Sequence, residues 1–98
     1  METFQDIIKG DKPVLVDFFA TWCGQCKAMT PIVESVAKKL HGQSRMLKID
    51  VDKNQAIAAL YKVQTVPTFR IFRKGEVVWR NAGGVNKPTL MQQIRKFV

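Results

Sequence analysis

The sequence of 98 residues has little of what builds a metal site or a disulfide scaffold, because it contains only two cysteines and one histidine. Structural zinc needs four ligands, and beyond the two cysteines the chain offers one histidine and scattered carboxylates. A single cysteine pair leaves no further cysteines for the structural disulfides that stabilise many small folds. The chain is long enough to bury a core without such help. We therefore expect no metal site and no bound cofactor, and we expect a redox use for the pair.

The chain also has no apolar run near the roughly 20 residues that cross a bilayer. Its first residues, Met1 to Asp6, are not a basic segment followed by an apolar one, as a signal peptide would be. These absences predict a cytoplasmic protein without a membrane partner; an exported mature form that has lost its signal peptide would look the same. No repeat, linker or low-complexity stretch divides the sequence, which predicts one domain over residues 1–98.

Acidic residues are scarce: 8 Asp and Glu stand against 16 Lys and Arg, which gives a formal net charge of +8. Such a balance raises the question of nucleic acid, and the stretch from Phe69 to Lys74 does interleave aromatic and basic residues. The basic residues are nevertheless spread along the chain, and no nucleic-acid motif is present. We predict acidic protein partners and no nucleic acid.

Apolar residues follow two different periods along the chain. A nearly continuous apolar run from Val14 to Ala20 predicts a strand buried on both faces, and the spacing from Met29 to Leu40 predicts an amphipathic helix. Further helices are predicted at Phe4 to Ile8, after Asp52 to Asn54 and from Asn86. Further strands are predicted at Arg45 to Asp50, Phe69 to Phe72 and Val77 to Arg80. A turn at 73–76 joins the last two strands. This order predicts an α/β fold, a mixed sheet with helices on both faces.

The two cysteines stand three residues apart in Trp22-Cys23-Gly24-Gln25-Cys26, between the apolar run and the helix. Residues i and i+3 share one face of the first helical turn, so the sulfurs can form a disulfide or a dithiol with little backbone movement. Cys23 would lie at the helix N-terminus, where free N–H groups and the helix dipole favour the thiolate that attacks disulfides. We interpret Cys23 as the nucleophile and Cys26, one turn in and shielded, as the resolving thiol.

Together with three further landmarks, this motif resembles the thioredoxin family over nearly the whole chain. The landmarks, in chain order, are Val16-Asp17-Phe18, Trp22-Cys23-Gly24-Gln25-Cys26-Lys27, Thr65-Val66-Pro67-Thr68 and Gly83. The resemblance implies a thioredoxin fold whose four-stranded sheet is ordered second, first, third, fourth, with the last two strands antiparallel to the others. The family's extra N-terminal strand would be missing, because the first helix begins almost at Met1.

Asp17 interrupts the otherwise apolar central strand. A lone buried carboxylate is costly, so burial should raise its pKa and keep it partly protonated. The resemblance implies that Asp17, through water, accepts and returns the proton of Cys26. The plainer alternative is a strand-edge carboxylate that faces water.

The resemblance also implies which residues hold the substrate. Val66-Pro67 would be a cis peptide against the cysteine pair, which leaves the Val66 backbone free to pair with an extended substrate segment. Pro67 would keep metal from the thiols, Trp22 would be a platform beside the nucleophile, and Gly83 would leave room for the substrate backbone. The alternatives are a trans proline that opens a strand and a tryptophan in the core.

The chain departs from the family pattern at Gln25, where thioredoxins usually have proline. Gln25 supplies a backbone N–H that proline lacks and relaxes the restriction on Gly24, so these two residues should tune the redox potential. The lysine that the family places near the buried acid is not evident. By alignment its position is Met46, and Lys48, two residues on and on the same strand face, is the candidate substitute.

These features predict a monomeric protein-disulfide reductase that cycles between the Cys23/Cys26 dithiol and disulfide as part of cell redox homeostasis. The resemblance implies a flavin-dependent thioredoxin reductase as electron donor and disulfide-containing proteins as substrates. One alternative has the same fold but the opposite direction of electron transfer: a thiol oxidase or isomerase. The other is a non-catalytic binding module whose groove at Trp22, Val66 and Gly83 holds a partner.

Overall fold

Four strands and four helices follow one another along the chain in the order that the apolar pattern predicts. A computed structural model describes all 98 residues. The elements are α1 (Phe4–Ile8), β1 (Val14–Phe19), α2 (Gly24–Lys39), β2 (Arg45–Asp50), α3 (Gln55–Leu60), β3 (Thr68–Arg73), β4 (Glu76–Ala82) and α4 (Lys87–Arg95). None of the helices is both long enough and apolar enough to cross a membrane.

The strands form one mixed sheet in the order β2-β1-β3-β4, which is the predicted order. β1 pairs with β2 in parallel and with β3 antiparallel, and β4 pairs with β3 antiparallel. The prediction that β3 and β4 both run antiparallel to the first two strands is therefore wrong for β4, which runs parallel to β1. The reason is the short hairpin: Lys74 (φ 54°) and Gly75 (φ 83°) both have positive φ, as in a tight two-residue turn, and such a turn reverses the chain.

Two hydrophobic clusters cover the two faces of the sheet. On one face, Leu15 and Ile71 of the sheet pack with α2 and α4. On the other face, Val16 and Phe18 pack with α1, while Ile57 of α3 lies against the same cluster. β1 is buried on both sides because it lies inside the sheet with helices above and below it. Its C-terminal end, which leads directly into the cysteine motif, is thereby fixed in place.

β2 is an edge strand, since no strand precedes α1 in the described chain. Its first residue, Arg45, forms a two-pronged ion pair with Glu2, with N···O distances of 2.9 and 3.0 Å. Each partner's pKa is shifted towards its charged form, chiefly by this hydrogen bonding. Both side chains are exposed, so the pair adds little stability; charge along an edge strand does discourage pairing with another chain.

Candidate active site

Cys23 is the N-cap residue of α2. Its backbone is extended (φ −88°, ψ 110°), and its sulfur accepts a hydrogen bond from the backbone N–H of Cys26 at 3.1 Å. Gly24 and Gln25 occupy the first two helical positions, where N–H groups have no acceptor inside the helix. In this oxidised form the hydrogen bond to the Cys23 sulfur comes from the backbone N–H of Cys26 and not from that of Gln25. The predicted placement of Cys23 at the helix N-terminus is the one observed.

Cys23 and Cys26 are joined in a disulfide, with their Cα atoms 5.3 Å apart. Both residues are only 6% exposed, and they pack with Ala20 in a small buried cluster against which Phe19 and Val66 lie. Cys26 is shielded as predicted, and in the oxidised form Cys23 is shielded equally. No group of three or more His, Cys, Asp or Glu that could hold a metal ion is present in the structure.

Asp17 is buried in the central strand, on the face that packs against α2. It is 3% exposed, and its Oδ1 atom has no hydrogen-bond partner. Burial raises the pKa of this carboxyl from the ordinary 3.8 to about 6, and the positive charge of Lys48 opposes the rise. The alternative of an edge carboxylate facing water is wrong, because Asp17 lies inside the sheet between β2 and β3.

Lys48 is the residue opposite Asp17 across β1 and β2, whereas Met46 lies opposite Leu15. The candidate substitute for the missing lysine, Lys48, therefore lies beside the acid, and Met46 lies one residue pair further along the face. Lys48 makes no ion pair within 4.0 Å; its ammonium lies over the ring of Phe19, 4.8 Å from the centroid. It acts on Asp17 through its field only.

Trp22 projects from the protein beside the disulfide and is 70% exposed, so the alternative of a core tryptophan is wrong. Its indole N–H donates to the Oδ2 atom of Asp52 at 2.9 Å, which fixes the ring over a cleft of about 210 Å³. Val66 lines the same cleft. Asp52 is expected from the sequence only as a residue just before the third helix, so this contact was missed. Its one signal is that it is a polar residue just after β2, the neighbour of β1.

The segment that faces the disulfide contains Val66 and Pro67, and the peptide bond between them is cis. The carbonyl of Pro67 accepts a hydrogen bond from the N–H of Gly83 at 2.8 Å, which ties this segment to the end of β4. Gly83 has φ +91°, a conformation that L side chains rarely adopt, and a Cβ atom there would meet open space. The structure thus brings Trp22, Val66, Pro67 and Gly83 together around the cysteine pair.

The side chain of Gln25 lies against Gly84, a contact that the sequence analysis missed. Its Nε2 atom would be 3.0 Å from a Cβ atom placed on Gly84. Asn81 holds the same segment by donating to the carbonyls of Gly83 at 3.0 Å and Gly84 at 3.4 Å. Gln25, one of the two residues between the cysteines, is therefore packed against Gly84, the residue after Gly83.

The comparison with known families agrees with this geometry: the model of the thioredoxin family matches residues 1–96. The chain belongs to the thioredoxin family. A thioredoxin-like protein of Synechocystis is 46% identical over 96 residues, which are 97% of this chain and 91% of that protein. The bifunctional thioredoxin reductase/thioredoxin of Mycobacterium leprae is 39% identical over 95 residues, 97% of this chain and 21% of that protein.

A solved structure supports the same conclusion for the fold. A mutant thioredoxin from Halobacterium salinarum superposes with a TM-score of 0.86 at 38% identity, covering 95% of this chain and 80% of that one. Thioredoxins are disulfide oxidoreductases, and the Cys23–Cys26 disulfide provides the redox-active pair that this activity needs. The fold and the cysteine pair thus support dithiol–disulfide exchange.

Proposed function

We propose that this chain, as one domain over residues 1–98, reduces disulfides in other proteins and contributes to cell redox homeostasis. The observation that carries the proposal is the Cys23–Cys26 disulfide at the N-terminus of α2, within a thioredoxin-family fold. A disulfide at this position opens to a dithiol without rearrangement of the sheet, because the only bond broken lies within one helical turn. The same pair can therefore cycle.

The reaction begins with the reduced pair, and Cys23 is the nucleophile. Its thiolate attacks one sulfur of the substrate disulfide, a mixed disulfide forms, and the other substrate sulfur leaves as a thiolate that takes up a proton. Cys26 then loses its proton and attacks the Cys23 sulfur, which releases the second substrate thiol. The substrate gains two electrons and two protons, and the protein is left with the Cys23–Cys26 disulfide. Free N–H groups at the start of α2 stabilise the Cys23 thiolate.

Asp17 takes the proton from Cys26 through water. A carboxylate with an ordinary pKa of 3.8 would be a weak base for a thiol, whereas burial raises the pKa of Asp17 to about 6. Asp17 lies on the sheet face that packs against α2, the helix that carries Cys26. Its unpartnered Oδ1 atom is free to accept this proton.

The substrate segment lies across Trp22 and Val66. The cleft between these two residues adjoins the disulfide, and an extended segment there can pair with the Val66 backbone. The open space over Gly83 admits the substrate backbone on the other side. Pro67 is buried and has no N–H, so it adds no backbone hydrogen-bond donor beside the Cys23 sulfur. It also keeps metal ions from the reduced thiols.

A thioredoxin reductase regenerates the dithiol, and we propose a flavin-dependent one acting on a monomer of this chain. The relative that joins a thioredoxin reductase to a thioredoxin supports the pairing. We place the protein in the cytoplasm, since one CxxC pair with no structural disulfide suits a reducing compartment. The excess of positive charge favours acidic substrate proteins.

The test is the precipitation of insulin that follows reduction of its disulfides, in the presence of NADPH and a flavin-dependent thioredoxin reductase. We expect rapid turbidity with the wild-type protein and none with Cys23→Ser, which cannot form the mixed disulfide. Oxidation of a reduced substrate instead would show an oxidase, and retained binding without electron transfer would show a binding module. Either result contradicts the proposal.

A further inference from the structure

Arg70 is a charged residue in the interior of β3, whose neighbours are apolar. It is 9% exposed, and it lies on the face of Val16, its opposite residue across β1 and β3. One guanidinium nitrogen donates to the carbonyl of Tyr61 at 3.1 Å, while its Nε–H is buried without any partner. Buried arginines are normally paired with carboxylates, and Arg70 has none within 4.0 Å.

The residue opposite Arg70 across β3 and β4 is a second arginine, Arg80. Like charges directly opposite each other in a sheet are destabilising. Burial and, after it, repulsion from Arg80 lower the pKa of the Arg70 guanidinium from its ordinary value. Folding therefore holds two positive charges together at a place where an apolar pair would be more stable, which points to a negatively charged ligand.

Both arginines line a cleft of about 300 Å³. Lys62 adds a third cation to its wall, and the remaining lining residues are neutral: none of the nine is Asp or Glu. The Thr68 hydroxyl donates to the carbonyl of Thr65 at 2.6 Å and the Asn81 amide donates to the carbonyls of Gly83 and Gly84, so the cations supply all the charged donors of the cleft. A carboxylate entering here would meet the unpaired charge of Arg70 and Arg80 with no competing acid.

The cleft is continuous with the proposed substrate groove. Thr65 and Ala82 both line it, and each directly precedes a residue of that groove, Val66 and Gly83 respectively. Thr65 also lines the cleft between Trp22 and Val66. An extended segment that pairs with the Val66 backbone would therefore present a neighbouring side chain to the arginines.

We propose that the cleft formed by Lys62, Arg70 and Arg80 binds an Asp or Glu side chain of the substrate protein, close in sequence to the reacting cysteine. The proposal rests on the proposed function, because it names the class of disulfide that this site prefers. Charge complementarity and continuity with the groove commit the cleft to a substrate carboxylate. A free inorganic anion is the competing occupant that the experiment must separate.

The experiment compares disulfide-bridged peptides that are identical except for one residue. A single Glu is moved from three residues before the cysteine to three residues after it, and each peptide has a counterpart with Gln. We expect at least one position at which wild-type protein has an about tenfold higher kcat/KM for the Glu peptide, as for a hydrogen-bonded charge pair. This preference is expected to vanish in Arg70→Met and to fall about threefold in Arg80→Gln, whose exposed side chain contributes less.

The matched control is Arg95→Gln, which removes the same charge from an exposed position on α4, a helix packed on the other face of the sheet. The control keeps the full preference for Glu. Arg70→Met is expected to fold, because an apolar side chain replaces an unpaired buried cation in an apolar strand. Reduction of a small uncharged disulfide measures the basal activity of every variant, and it is expected to be unchanged.

A second measurement does not depend on turnover. The Hε resonance of Arg70 is followed by NMR in the oxidised protein while a cysteine-free Glu peptide, its Gln counterpart or inorganic phosphate is added. We expect a shift with the Glu peptide and none with the Gln peptide. If that shift occurs but no peptide is reduced, the proposed function fails and the carboxylate site stands.

Three results would overturn the inference while leaving the proposed function intact. The first is equal reduction of Glu and Gln peptides at every position by the wild-type protein. The second is a preference that persists in Arg70→Met or is lost equally in Arg95→Gln, since it would then come from the overall charge. The third is an Arg70 resonance that responds to phosphate and not to the Glu peptide.

Discussion

Replacement of Asp17 by Asn removes the ionisable group at the centre of the sheet and keeps its shape. Asp17 is 3% exposed, with one oxygen atom unpartnered, so its ionised form lacks the hydrogen bonds that would stabilise it. The difference between the ordinary pKa of 3.8 and about 6 corresponds to about 3 kcal/mol in the folding free energy at high pH. This figure already includes the attraction of Lys48, so we expect a gain in stability of up to about 3 kcal/mol in the variant.

The sign of the effect follows from the protons bound in each state. Between pH 4 and 6 the folded protein keeps the proton on Asp17, whereas the unfolded chain has lost it, because the pKa is raised to about 6 on folding. The contribution of Asp17 to the free energy of unfolding therefore falls as the pH rises through this window, and its full penalty applies above about pH 6. Asp17→Asn lacks this dependence, so its advantage is small near pH 4 and largest at neutral pH and above.

Urea unfolding of the oxidised wild-type and Asp17→Asn proteins between pH 4 and pH 8 measures this difference. The exposed Asp11 provides the control: Asp11→Asn makes the same chemical change and is expected to alter the free energy of unfolding by less than about 0.5 kcal/mol. A difference between wild type and Asp17→Asn that is equal at both ends of the pH range would refute the account of a buried carboxylate. So would a less stable Asp17→Asn protein at pH 8.

Two further predictions concern the segment between the cysteines and its neighbour. Gln25→Pro removes an N–H from the first turn of α2, so the redox potential should become more negative by a few tens of millivolts. About 30 mV corresponds to about 1.4 kcal/mol of thiolate stabilisation. The shift should bring the potential nearer to the value of about −270 mV that is typical of thioredoxin. Equilibration with glutathione measures it; an unchanged or less negative potential contradicts the role of Gln25. Gly83→Ala forces an alanine to φ +91° and should lower the free energy of unfolding by about 1 to 2 kcal/mol. The control Gly10→Ala, at ordinary φ and with ordinary contacts, should change the free energy of unfolding little. Equal thermal stability of the two alanine variants would show that no strain arises at Gly83.

Local patterns in the sequence predicted the elements and the placement of the cysteine pair and of Asp17 well, because each signal lies within a few residues. The apolar run that ends at Ala20 forms the central strand, and the spacing of Cys23 and Cys26 gives the pair at the start of α2. Asp17 was identified as buried because it interrupts that run. All three inferences needed only the period of the element and the cost of burying charge.

Contacts between distant segments were not predictable from such patterns, because they depend on strand register and on loop paths. Lys48 was only a candidate neighbour of Asp17, because the register of β1 and β2 that sets the two opposite each other does not follow from local spacing. Trp22 and Asp52 meet across 30 positions of sequence, and the only local signal for Asp52 is that it is a polar residue just after β2. In the same way, Arg70 and Arg80 face each other only because the β3–β4 hairpin places them in register, with an irregularity between Ile71 and Phe72.

The central claim is that Cys23 attacks the substrate and Cys26 resolves the intermediate, and it is tested most directly by trapping that intermediate. Cys26→Ser is reduced, mixed with an oxidised substrate protein and analysed by mass spectrometry without reductant, with Cys23→Ser treated in the same way. The account predicts a stable covalent adduct of Cys26→Ser carried on Cys23, and no disulfide reduction by Cys23→Ser. Normal turnover by Cys26→Ser, or an adduct formed by Cys23→Ser and not by Cys26→Ser, would contradict it.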